Sequence, residues 1–213
     1  MNTTLLAVLT FGLLTTPLAG QQSETVDFQA LVREIIAVHN RIRENPREFV
    51  SVLSGWQGAF EGRLRHQPGL PTLRTVEGWS AVEEAIQFLQ EQEPIGPLRA
   101  WDGMHRAAQD HVNGQGEDGL LGHEGEDGSM PWDRVSRYGT WVGTVAENIS
   151  YGPADAQEVL LQLVVDDGVR DRGHRTNIFD PQFGAVGVAC GPHATYRVMC
   201  IIVYAGAFAN QER

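Results

Sequence analysis

What most constrains the fold is an order of patterns: four segments with helical periodicity come first, and two β-rich segments close the chain. From Asp27 to Leu53 the apolar residues Phe28, Leu31, Ile35, Val38 and Ile42 share one helical face, and Asn45-Pro46 interrupts before Phe49, Val50 and Leu53 resume. The spacing returns in 79–92 (Val82, Ile86, Leu89), in 98–111 (Leu98, Trp101, Met104, Ala108) and in 154–165 (Ala156, Val159, Leu160, Leu163, Val164). Phe183 to Cys190 and Tyr196 to Phe208 are instead β-branched and aromatic, and Gly191-Pro192-His193 between them predicts a hairpin. Helices followed by a terminal antiparallel pair predict an α+β fold with helices packed on a sheet. Gly55 to Gly78, with Pro68 and Pro71 and no clear period, reads as a long loop and an insert, and Asn177 to Pro181 also reads as a loop.

At 213 residues the chain accommodates one domain of ordinary size. Residues 1–20 read as a secretory signal peptide, because Thr4 to Ala19 is uncharged, contains Leu5-Leu6-Ala7-Val8-Leu9 and ends in small residues before a polar stretch. The run falls short of the about 20 apolar residues that span a bilayer. We therefore expect cleavage near Gly20, a single domain over 21–213, no stable membrane span afterwards, and an extracellular or periplasmic location. A formal charge of −11, on a chain without lysine, argues against nucleic acid and anionic membrane surfaces and is compatible with cation binding. Export to an oxidising compartment favours one disulfide between Cys190 and Cys200, the only cysteines, over two buried thiols or a metal clip.

Chemistry concentrates in three stretches set in glycine-rich surroundings: Gly122-His123-Glu124-Gly125, Ala146-Glu147-Asn148-Ile149, and Asp166-Asp167-Gly168 leading to Gly173-His174-Arg175. His123 sits among turn residues, where imidazole is not required for packing. Glu147 has apolar neighbours, so its carboxylate needs a cation, a metal or several donors. Asp166 and Asp167 end a helix at its negative pole, where acids are unfavourable, and either Arg170, Arg172 and Arg175 or a metal must compensate. His174 lies beside Arg175, which favours the neutral imidazole a metal requires. Two imidazoles and two carboxylates suit zinc or a similar divalent ion, magnesium and calcium included, and the same groups suit acid–base chemistry. Asp127 occupies the place of a second zincin histidine, and there is no Gly-x-Ser-x-Gly elbow, no P-loop and no complete calcium loop. His111, at the end of the third helix, reads as a surface rival to His123, and His39, His66, His105 and His193 lack carboxylate company.

Taken in order, His39-Asn40-x-x-Arg43, the Ala107-Ala108 helix leading to Gly122-His123, Glu147-Asn148-Ile149, Gly173-His174-Arg175 and Val186-Gly187-Val188 resemble the CAP superfamily of cysteine-rich secretory, antigen 5 and pathogenesis-related 1 (SCP-like) proteins. Asp127-Gly128-Ser129 and Asn177-Ile178-Phe179 are most similar to its bacterial-type branch. The resemblance implies an α-β-α sandwich and a cleft tetrad of His123, Glu147, His174 and a second acid, Asp167 or alternatively Asp166. The family's aromatic-x-x-glutamate reads Leu163-x-x-Asp166 here, a shorter carboxylate. The resemblance also implies a Cys190–Cys200 disulfide. It implies an exported binding protein for divalent metal, with a small apolar ligand, a lipid such as a sterol, or an extracellular protein as partner. The alternative is an extracellular protease- or esterase-like hydrolase, with Glu147 as general base and His123 and His174 polarising a carbonyl.

Overall fold

Leu31, Ile35, His39 and Ile42 recur at helical spacing and become the buried face of α1 (Phe28–Glu44), whose first turn is capped by the Asp27 carboxylate accepting from the amides of Gln29 and Ala30. The structure, a computed structural model, describes residues 25–67 and 72–211, so the expected signal segment 1–20 lies outside the described residues. Asn45-Pro46 ends α1 as predicted, and a short 3-10 turn leads into α2 (Val50–Ser54).

The stretch read as a plain loop contains a small sheet: β1 (Phe60–Glu61), β2 (Leu64–Arg65) and β3 (Leu73–Arg74) form an antiparallel meander. Strands of two residues are too short to show period-2 alternation, which is why the sequence hid them. Then come α3 (Trp79–Glu91), β4 (Arg99–Ala100), α4 (Asp102–Gly116), α5 (Pro131–Ser136), β5 (Gly139–Tyr151) and α6 (Ala156–Val165). The chain closes with α7 (Gly173–Phe179), β6 (Ala185–His193) and β7 (Arg197–Asn210). Helix α7 replaces most of the loop expected at Asn177 to Pro181, and its first turn docks on the acid that ends α6, a tertiary contact no local pattern encodes.

The main sheet has the order β4-β6-β7-β5. The predicted hairpin is β6 and β7, antiparallel with Cys190 opposite Cys200, and those two cysteines are disulfide-bonded. The sheet is not wholly antiparallel as expected, because the two-residue β4 joins β6 in parallel. Both faces are covered, which explains the almost unbroken apolar run of β7. Ile201, Val203 and Ala205 face Met104, Ala107 and Ala108 of α4, whereas Cys200, Ile202 and Tyr204 face the layer that contains α1, α3 and α6. A close approach fixes one residue: a Cβ on Gly187 of β6 would overlap the backbone of Met104. The result is the α-β-α sandwich that the resemblance implied, with β5 as an edge strand flanked by helices on either face.

Candidate functional site

Two histidine–carboxylate pairs flank the edge strand β5. Glu147 and Asn148 are successive strand residues, so their side chains leave opposite faces. Glu147 turns toward α4 and α5, and Asn148 turns toward α7.

On the first face, the loop after α4 is held rigidly. Gln115 donates to the carbonyls of Gly122 and Glu124 at 3.0 Å each, and Arg134 donates to the carbonyls of Ser129 at 2.6 Å and His123 at 3.1 Å. His123 thereby meets Glu147, its Nδ1 donating to Oε1 at 3.0 Å. Arg134 donates to the other oxygen, Oε2, at 2.8 Å. The Glu147 and Arg134 side chains are 1% and 2% exposed, so the cation that the buried carboxylate required is a protein residue. Arg134 escaped the sequence reading because nothing in Pro131-Trp132-Asp133-Arg134 marks an arginine as buried. His111 corrects another expectation: it is no surface residue but a fully buried one, with Nε2 3.7 Å from Glu147. Burial holds its pKa below the ordinary imidazole value. Its Nε2 donates to the carbonyl of Gly122 at 2.9 Å, which steadies the loop before His123.

On the second face, the two aspartates divide their duties. Asp166 takes the left-handed conformation (φ 55°) at the C-terminus of α6, which aspartate tolerates better than most residues. Its carboxylate accepts from the Nδ1 of His174 at 2.6 Å and from the His174 amide at 2.9 Å. The unfavourable pole of α6 is thus offset by the N-terminal amides of α7. Asp167, the first choice for the tetrad, is turned away: it accepts from the amides of Val76 at 2.6 Å and Glu77 at 2.8 Å, tying the insert to the α6–α7 connection. Glu77 returns the bond by accepting from Gly168 at 2.7 Å. At Gly168 φ is +82° and a Cβ would press on Val76, so glycine is required. Of the two sources of compensation left open, arginines or a metal, Arg172 and Arg175 make their ion pairs elsewhere. Arg172 pairs with Glu77 and Glu84, and Arg175 with Glu84. Hydrogen bonds from Arg172 and Gly168 hold the Glu77 carboxyl at a pKa of about 2.

Asn148 anchors this second pair from the sheet. Its side-chain amide donates to the His174 carbonyl at 2.9 Å and accepts from Asn177 at 2.8 Å. The Tyr204 hydroxyl joins Asn148 to the buried His39, 2.9 Å away, so a histidine without carboxylate company belongs to the support of the site. Burial depresses the His39 pKa to about 3.

A carboxylate only accepts, so each bonded Nδ1 carries a proton, and in the neutral tautomer of either ring it is Nε2 that offers a lone pair. Neither Nε2 has a partner among the described residues, and the His123 and His174 side chains are 46% and 25% exposed. Both carboxylates are consumed in orienting imidazoles. Among the described residues no three His, Cys, Asp or Glu side chains stand close enough to share one ion. The donors that remain are two imidazoles.

The Cysteine-rich secretory protein family model matches residues 36–205, and the chain belongs to this family. Among solved structures it is similar to an outer surface protein of Borrelia burgdorferi, at 14% identity with a TM-score of 0.45, over 52% of this chain and 78% of that one. It is also similar to an extracellular SCP-domain protein of Bacillus anthracis, at 17% identity with a TM-score of 0.41, over 58% of this chain and 38% of that one. No curated protein matches.

Proposed function

We propose that the chain is an exported CAP-domain binding protein that holds a divalent cation at the edge of β5, through the Nε2 atoms of His123 and His174. The observation that carries this reading is the matched state of the two rings: each has its Nδ1 bonded to a buried carboxylate and its Nε2 unspent. That is the outer-shell arrangement by which proteins orient an imidazole for a metal and raise its basicity. Glu147 and Asp166 act as orienting groups, and water completes the coordination shell. Imidazole donors favour zinc over magnesium or calcium, which take oxygen ligands. The disulfide and the apolar leader support export.

Calorimetric titration with zinc tests the proposal. The wild type should bind one equivalent and His123→Ala/His174→Ala should lose binding, whereas equal affinity in the two proteins would overturn it. The hydrolase alternative loses its general base, because Glu147 is buried with both oxygens engaged. Any hydrolysis would have to begin from an imidazole Nε2 instead.

A further inference from the structure

Each histidine–carboxylate pair is held by an arginine, and the two arginines work differently. Arg134 bonds the Glu147 carboxylate itself, so that acid divides its charge between a guanidinium and His123. The Asp166 carboxylate has no guanidinium on it among the described residues. It accepts from the Nδ1 and amide of His174 and, at 3.5 Å, from the amide of Arg175. Arg172 reaches Asp166 from behind instead. Its Nη1 donates to the Asp166 carbonyl at 2.8 Å and to the Val169 carbonyl at 3.0 Å, so the side chain folds back over the loop that separates acid from ring.

Two acids from outside that loop fasten the guanidinium. Glu77 of the insert accepts from it at 2.7 and 2.8 Å, and Glu84 of α3 at 2.6 to 3.2 Å. Glu84 also accepts from Arg175 at 2.9 Å, and Arg175 donates to the Val164 and Val165 carbonyls at the end of α6. All three guanidinium nitrogens of Arg172 are thus engaged on a side chain only 13% exposed, unlike the loose surface pairs that contribute little. The backbone shows the same constraint. Arg172 sits at φ 50°, in the left-handed region that an arginine keeps only where its surroundings hold it. A forked, planar donor suits this task, because it spans two carboxylates and two carbonyls at once.

We propose that Arg172 is a positioning residue for the cation site: it sets the Asp166 backbone so that the carboxylate, its charge left whole for His174, fixes the ring's direction and the nitrogen it presents. The role rests on the cation reading of His174. Arg172→Asn tests it, since asparagine accepts the left-handed backbone but lacks the guanidinium. In metal-free protein with EDTA at about pH 8, where unperturbed imidazoles are neutral, long-range proton–nitrogen NMR reads each ring's tautomer. His174 should be a single tautomer in the wild type and an exchange-averaged mixture in Arg172→Asn, with the His123 ring unchanged in the same sample. Zinc affinity by calorimetry should fall about tenfold, the lower end for groups that orient a ligand. Glu84→Gln, at a half-exposed position, should move the His174 signals the same way by less, and it carries the test if Arg172→Asn does not fold. Asp27→Ala uncaps α1 and weakens the fold elsewhere, so it should leave both readouts at wild-type values. Unaltered His174 nitrogen shifts in the folded variants, zinc affinity in Arg172→Asn within about twofold of wild type, or the same changes in Asp27→Ala would overturn the proposal. A wild type that binds no zinc would refute the cation reading alone, because the nitrogen shifts are read without metal.

Discussion

Glu147→Gln separates electrostatics from shape at the centre of the site. The substitution preserves size and an acceptor for His123, but it removes the only carboxylate within salt-bridge distance of Arg134 among the described residues. Arg134 is 2% exposed, and it would keep only the Ser129 and His123 carbonyls and the Ser129 hydroxyl as partners. Breaking one partner from a buried pair costs about 3–5 kcal/mol. The retained amide oxygen places this variant near the lower end, at about 3 kcal/mol. With a urea m-value of about 2 kcal/mol/M, the unfolding midpoint should fall by about 1.5 M. The half-exposed His123 is the control, and His123→Ala should move the midpoint by less than about 0.5 M. Adding Arg134→Met to Glu147→Gln removes the stranded charge, so the double variant should recover about 2 kcal/mol relative to the sum of the single losses. A shift below about 0.3 M for Glu147→Gln, or strict additivity in the double variant, would refute the claim that Arg134 and Glu147 compensate one another as a buried pair.

Asp166→Asn retains a residue that tolerates the left-handed conformation but removes the carboxylate charge that accepts from His174 Nδ1, so zinc affinity should fall roughly 10–100-fold by calorimetry, while Asp167→Asn should leave it within about twofold. His39 makes stability pH-dependent. Its folded pKa, about 3, lies below the unfolded value of 6.5, so the unfolded chain binds the extra proton in between and stability is lost as pH falls. The slope it contributes is about 1.4 kcal/mol per pH unit, and His39→Gln should remove that slope from urea midpoints measured between pH 6.5 and 4. Replacing Cys190 and Cys200 together by alanine opens a loop whose ends are 10 residues apart, which should cost about 2.7 kcal/mol and lower Tm by about 5–10 °C. Gly187→Ala should destabilise by about 3 kcal/mol in the same thermal assay, since α4 cannot stay seated on β6, and an unchanged Tm would contradict the packing described.

The legible parts of this molecule were those where a local rule and the tertiary fold agree. The four amphipathic segments and the terminal hairpin follow from periodicity because each buries one face, or in β7 both faces, against a neighbour. His123, Glu147 and His174 stood out because glycine-rich surroundings and a buried carboxylate have few packing explanations. Arg134 and His111 stayed hidden because burial of a polar residue depends on partners far along the chain, and a helix face with one histidine on it looks the same wet or dry. The double aspartate shows the same limit at higher resolution. The helix-dipole argument held that both acids needed compensation, and the sequence left two sources open, three nearby arginines or a metal. Compensation came instead from backbone amides, those of α7 for Asp166 and those of the insert for Asp167. Amides carry no sequence signature, so no inspection of residue types could have assigned them. The consequence is functional, because an acid neutralised by fixed amides and an imidazole can orient a ligand without becoming one. That leaves two exposed imidazole nitrogens, rather than four mixed ligands, as the chemistry this site presents.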